Sequence, residues 1–120
     1  KAIRRQRQMC IRDRDFITAL PAAEVLTAQG TAPADSAAVA QAKVLVQGIA
    51  DLVLVFPDHL ELLDYKTDRV KQAQELLMRY QTQLQLYADA LSRVFSTDTK
   101  KMVAEEKLIY SFHLKEVVTL

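Results

Sequence analysis

An α/β domain, with a mixed central sheet of about four strands and one long amphipathic helix packed on it, is the fold class predicted by this 120-residue sequence. Three observations predict it: a β-branched run before Pro57-Asp58 with a short apolar run after it, a stretch from Val70 to Phe95 without Gly or Pro, and a further strand-like run at Lys107 to His113. Half of the residues are apolar, which suits a modest core in one domain.

Taken in order, Phe16 to Leu20 is expected as an edge strand ending at Pro21, followed by a short turn at Ala23-Glu24-Val25-Leu26. Thr27 to Gln41 is rich in Ala and carries Gly30 and Pro33, so it is expected as a flexible connection. Lys43 to Phe56 is rich in β-branched residues and stops at the turn former Pro57, and Leu60 to Lys66 is too short and apolar for a free helix. The two runs predict a hairpin turning at Pro57 to His59. From Val70 to Phe95, Ala73, Leu77, Tyr80, Leu84, Tyr87, Leu91 and Val94 recur at steps of four and three, the period of one long amphipathic helix. Ser96 to Lys101 is a polar linker, Lys107 to His113 a strand, and Val117 to Leu120 extends or follows it.

The near-neutral total charge conceals an uneven distribution. Lys1 to Arg14 holds six Lys/Arg and one Asp, whereas ten Lys/Arg meet fourteen Asp/Glu from Asp15 onward. A basic arm on an acidic body can bind nucleic acid. The stretch Arg7 to Arg14 instead resembles translated sequencing-adapter read-through, so residues 1–14 are expected to be a non-native or disordered tail and 15–120 the domain. The single Cys10 excludes a disulfide framework or a four-cysteine iron-sulfur site within this chain. No apolar run approaches the ~20 residues of a membrane span, and a cytoplasmic location is expected.

The chemistry concentrates around Gly48-Ile49-Ala50-Asp51 and Asp64-Tyr65-Lys66-Thr67-Asp68. Side chains alternate along a strand, so Asp64 and Lys66 share one face and Tyr65 takes the other. Asp51 and Asp64 lie at similar distances from the turn and are expected to face each other across the hairpin. Two carboxylates in an apolar sheet oppose each other's ionisation, and a divalent cation removes that conflict. Mg²⁺ is commonly held by one or two carboxylates with water and phosphate oxygens, and the Tyr65 backbone carbonyl is a further candidate ligand. Lys66 would position an attacking water and offset developing negative charge. The set is suited to metal-assisted phosphodiester hydrolysis. Standing alone, Asp64 and Lys66 would read as a surface ion pair worth at most ~1 kcal/mol.

Three blocks carry a resemblance: Val44 to Val53 containing Gly48 and Asp51, Leu62 to Arg69 containing Asp64 and Lys66, and Tyr80 to Ala88 containing Gln83 and Tyr87. They resemble the RecB-like branch of the PD-(D/E)XK nuclease superfamily, most closely the nuclease domain of AddA/RexA-type helicase-nucleases. The resemblance implies a restriction-endonuclease-like core, Asp51 and Asp64 as Mg²⁺ ligands with Mn²⁺ as a substitute, Lys66 as the catalytic lysine, and Gln83 and Tyr87 as a Q-x-x-x-Y pair bordering the site. It further implies single-stranded DNA as substrate, an AddB/RexB-like partner protein, participation in double-strand break repair and recombination, and ATP use only in a helicase portion outside this sequence. Cysteine-ligated relatives of the Cas4-like and AddB-like kinds fit less well, given Cys10 alone.

One family feature is not matched. RecB-like nucleases carry an earlier helix whose His or Glu joins the metal site, and neither Glu24, His59 nor His113 fits that role. The sequence is therefore expected to be an N-terminally truncated domain. A metal-dependent deoxyribonuclease is the leading reading, and a catalytically inactive DNA-binding or subunit-docking fragment of the same fold is the alternative.

Overall fold

The structure is a computed structural model that describes residues 9–31 and 37–120. In chain order its elements are β1 (Met9–Pro21), α1 (Ala22–Ala28), α2 (Ala37–Gln41), β2 (Lys43–Val55), β3 (Leu60–Lys66), α3 (Ala73–Phe95), β4 (Ala104–Ser111) and β5 (Glu116–Thr119). The strands form one five-stranded sheet in the order β1-β2-β3-β4-β5. Only β3 and β4 run parallel, and α3 is the crossover that a parallel pair requires.

α3 lies along one face of this sheet. Leu76, Leu84, Ala88 and Leu91 from the helix meet Val53, Leu60, Leu62 and Ile109 from the strands, and this contact is the hydrophobic core. Glu75 starts the helix by accepting the backbone N–H groups of Lys71 and Gln72. At the other end, Ser92 Oγ and Ser96 Oγ accept the backbone N–H groups of Ala104 and Met102. The polar linker is thereby fastened to the helix it leaves.

The predicted hairpin forms with the expected turn, closed by a hydrogen bond from Phe56 N–H to the His59 carbonyl. Elsewhere the structure departs from expectation. The first strand is longer than Phe16 to Leu20, because Met9 to Arg12 continue the antiparallel pairing against Leu52 to Val55. Residues 9–14 are therefore part of the sheet and do not trail as a tail, while residues 1–8 lie outside the described residues. Thr27 and Ala28 belong to α1, and residues 37–41 form α2, where a flexible connection was expected; residues 32–36 between them are outside the description. His113 falls in the turn after β4, and Val117 and Val118 form the fifth strand. Among the described residues no helix is long and apolar enough to cross a membrane.

Candidate active site

β2 aims Asp51 by breaking its own alternation. Ala50 and Val53 are both fully buried although they are three residues apart, so the two-residue period is reset between them. Strict alternation from Val46 and Gly48 would send Asp51 to the face away from α3. The neighbouring strand is irregular at the same level: Asp13 has φ 49°, and the pairing skips from Arg14↔Ala50 to Arg12↔Leu52. A two-strand bend thus brings Asp51 to the side of the sheet that Asp64 and Lys66 occupy.

There Asp51, Asp64 and Lys66 come together. The hairpin register reaches Leu52↔Leu63, so Asp51 and Asp64 stand just beyond it, close enough for Asp51 to act on the Asp64 carboxyl. Asp51 Oδ2 accepts the Tyr65 backbone N–H at 2.9 Å. Lys66 Nζ lies 2.8 Å from Asp64 Oδ2. Asp64 is buried, with 6% of its surface exposed. Burial, and then the proximity of Asp51, push its carboxyl up to about 6, against the opposing pull of Lys66. One ammonium does not compensate two closely placed acids.

α3 supplies the walls. Gln83 Oε1 accepts from Lys66 Nζ at 3.4 Å, and the Lys66 ammonium stands 3.9 Å from the centroid of the Tyr80 ring. Tyr80 Oη in turn donates to Asp68 Oδ2 at 2.7 Å, and Arg79 Nη1 donates to the same oxygen at 2.6 Å. These two donors hold the Asp68 carboxyl below its usual range. Tyr87, four residues after Gln83, packs edge-on against Phe16 with 4.9 Å between ring centroids. A Cβ placed on Gly48 would lie 2.5 Å from Tyr87 Oη, so only glycine lets the tyrosine seat here. Tyr87 thus borders the site through the strand that carries Asp51, whereas Gln83 reaches the lysine directly. The Tyr65 side chain is on the opposite, open face beside Phe112.

The helical period marks Tyr80 as a core aromatic whose hydroxyl needs a partner, and it does not disclose the ring's contact with Lys66. The i, i+3 spacing of Tyr80 and Gln83, which puts both on one helix face, is the signal the sequence offers. Other candidates lie apart from the cluster: Glu24 pairs with Arg93, and His59 bridges Asp58 and Glu61 in the hairpin turn. Among the described residues no group of three His, Cys, Asp or Glu side chains could hold a metal ion.

A model of the PD-(D/E)XK nuclease superfamily matches residues 4–117. The chain belongs to that superfamily. Asp64-Tyr65-Lys66 reads as the (D/E)XK string in the superfamily's name. The match also begins ahead of Asp15, where the domain was expected to start. The chain is 44% identical over 63 residues to an ATP-dependent helicase/nuclease polypeptide of Streptococcus pyogenes serotype M5 (strain Manfredo), covering 52% of this chain and 5% of that protein. The polypeptide of the same name from S. pyogenes serotype M49 (strain NZ131) gives the same identity and coverage. The aligned part therefore spans about a twentieth of the length of these relatives.

Proposed function

We propose that this chain is the metal-dependent deoxyribonuclease domain of a larger helicase-nuclease and that it hydrolyses phosphodiester bonds in single-stranded DNA. The observation that carries the proposal is the convergence of Asp51, Asp64 and Lys66 on one face of the sheet beneath α3. The residues fit a hard divalent cation. Their donors are oxygens, and Asp64 is pushed towards protonation by its burial and by the neighbouring Asp51 carboxylate, a pressure that a bound cation would relieve. Asp51, Asp64 and the Tyr65 carbonyl would hold Mg²⁺ or Mn²⁺. When bound, such an ion polarises the phosphodiester and lowers the pKa of water.

The chain's own groups would do the rest. Lys66, held by Asp64 and Gln83, orients the attacking water and offsets charge that grows on the phosphate oxygens. Gln83 fixes the direction of the ammonium. Tyr87 and Gly48 set the helix-to-sheet distance that keeps Gln83 in reach. The acidic body of the chain favours a DNA strand delivered by other parts of a larger assembly over strong autonomous binding. We place that assembly in the cytoplasm, in double-strand break repair and recombination, with an AddB/RexB-like partner and with ATP consumed by a motor outside this sequence.

The test is cleavage of end-labelled single-stranded DNA by the chain with Mg²⁺ or Mn²⁺ against a chelator control. Metal-dependent cutting, lost in Asp64→Ala, is the expected result. DNA binding without cutting under every metal condition would favour the DNA-binding or docking fragment instead.

A further inference from the structure

Resting on the nuclease reading above, we propose that Tyr80 is a positioning residue whose ring face holds the Lys66 ammonium over the site, and that Asp68 and Arg79 lock the ring for that purpose. A lysine side chain carries four rotatable bonds and an ammonium that can take many directions. To act on a water beside two acids it must be confined from more than one side. Asp64 Oδ2 at 2.8 Å and Gln83 Oε1 at 3.4 Å restrain two directions. The Tyr80 ring closes a third, with its centroid 3.9 Å from Nζ, well inside the range where a ring's negative face attracts a cation.

The ring is itself fixed at its far end. Tyr80 Oη donates at 2.7 Å to Asp68 Oδ2, which Arg79 Nη1 holds at 2.6 Å. A phenol donating to a carboxylate gains electron density in its ring, which strengthens the attraction for the ammonium. The order of residues makes the arrangement compact. Asp68 follows Lys66 by two positions on the chain leaving β3, and Tyr80 precedes Gln83 by three on α3, so short segments of the two elements supply all the groups that hold Lys66 or its holder. A tyrosine placed only to fill the core would not need its ring under the ammonium and its hydroxyl on a braced carboxylate.

The experiment combines kinetics with a readout that does not need cleavage. In ¹H-¹³C spectra of the whole chain, the Lys66 ε-methylene protons should be shifted upfield by the ring, remain so in Tyr80→Phe, and return to ordinary lysine positions in Tyr80→Leu. With single-stranded DNA and Mg²⁺, Tyr80→Leu should lower kcat by about tenfold or more while KM stays within about twofold, as expected for a misplaced catalytic group. Tyr80→Phe and Asp68→Asn, which keep the ring but remove or weaken the bond that locks it, should each fall between wild type and Tyr80→Leu, with Tyr80→Phe the lower of the two. Thermal midpoints of all variants separate a general loss of folding from a local effect. Unshifted Lys66 protons in the wild-type chain, or a Tyr80→Leu variant with unchanged kcat, would overturn the proposal. A wild-type chain that cuts no DNA would defeat the nuclease reading, and the Lys66 shifts would still decide whether Tyr80 holds the lysine.

Discussion

The two ends of β3 carry charged clusters of nearly the same composition and opposite character. At its start, His59 stands between two acids, with Nδ1 2.8 Å from Asp58 and Nε2 3.1 Å from Glu61, and its ring stacks on Phe56. Each acid there has its own nitrogen of the imidazole, so Asp58 is held below its usual range and His59 is raised. At its end, Asp51 and Asp64 share a single ammonium that only Asp64 touches, and the buried acid is driven upward to about 6. One cluster is satisfied by the chain alone. The other is arranged against its own electrostatics, and such conflict is expected where a ligand or a reaction is to be accommodated.

Loss of either charged partner at the site should have the largest effect. Asp64→Ala and Lys66→Ala are each expected to reduce metal-dependent cleavage by at least about 10²-fold, measured under saturating Mg²⁺. The same change in the satisfied cluster, His59→Ala, should leave cleavage nearly unaltered.

The structural frame of the site comes next. Gly48→Ala would place a methyl group 2.5 Å from Tyr87 Oη and 3.1 Å from Phe16 Cζ, so something must move. A loss of about 1–3 kcal/mol in denaturant unfolding is expected. Adding Tyr87→Phe, which removes the nearest atom, should recover part of it.

Stability should move in the opposite direction when Asp64 is neutralised. Its folded pKa, about 6, exceeds the ordinary 3.8, so the folded chain binds more protons than the unfolded one between those values. Stability is therefore lost as pH rises through that window, by an amount on the order of 2–3 kcal/mol. Asp64→Asn should be more stable than wild type at pH 8 and gain nothing at pH 3.5, read as thermal midpoints. The hairpin cluster has the smallest effect. Because the folded pKa of His59 is raised, its contribution is present in acid and lost as pH climbs through that pKa, and His59→Gln should flatten this small component of the profile.

Much of this contrast could be read from the sequence. The hairpin followed from Pro57-Asp58 between a β-branched run and a short apolar one, and the long helix from its apolar period. The faces of Asp64, Lys66 and Gln83 followed from the two periods together. Asp51 was harder, because alternation counted from Gly48 would have sent it away from Asp64. Only the bend shared with Asp13 on β1 corrects that, and no local pattern announces a bend that depends on a partner strand. The extent of β1 was missed because Arg7 to Arg14 reads, by its likeness, as adapter read-through, and the state of Met9 to Arg14 is decided by its pairing with β2. α1 and α2 were hidden by a composition rich in Ala that reads equally as helix or loop. The Tyr80 contact depends on side-chain packing between α3 and β3, which helical periodicity places on a face but cannot pair with a particular lysine.

The most direct measurement of the central claim is calorimetric titration of the chain with Mg²⁺ and Mn²⁺ at pH 8 and at pH 5. Asp51 and Asp64 as a cation site predict saturable binding at pH 8, weaker binding at pH 5 where Asp64 takes up a proton, and none in Asp64→Asn. Absence of saturable heat at pH 8, or heat that Asp64→Asn leaves unchanged, would contradict it.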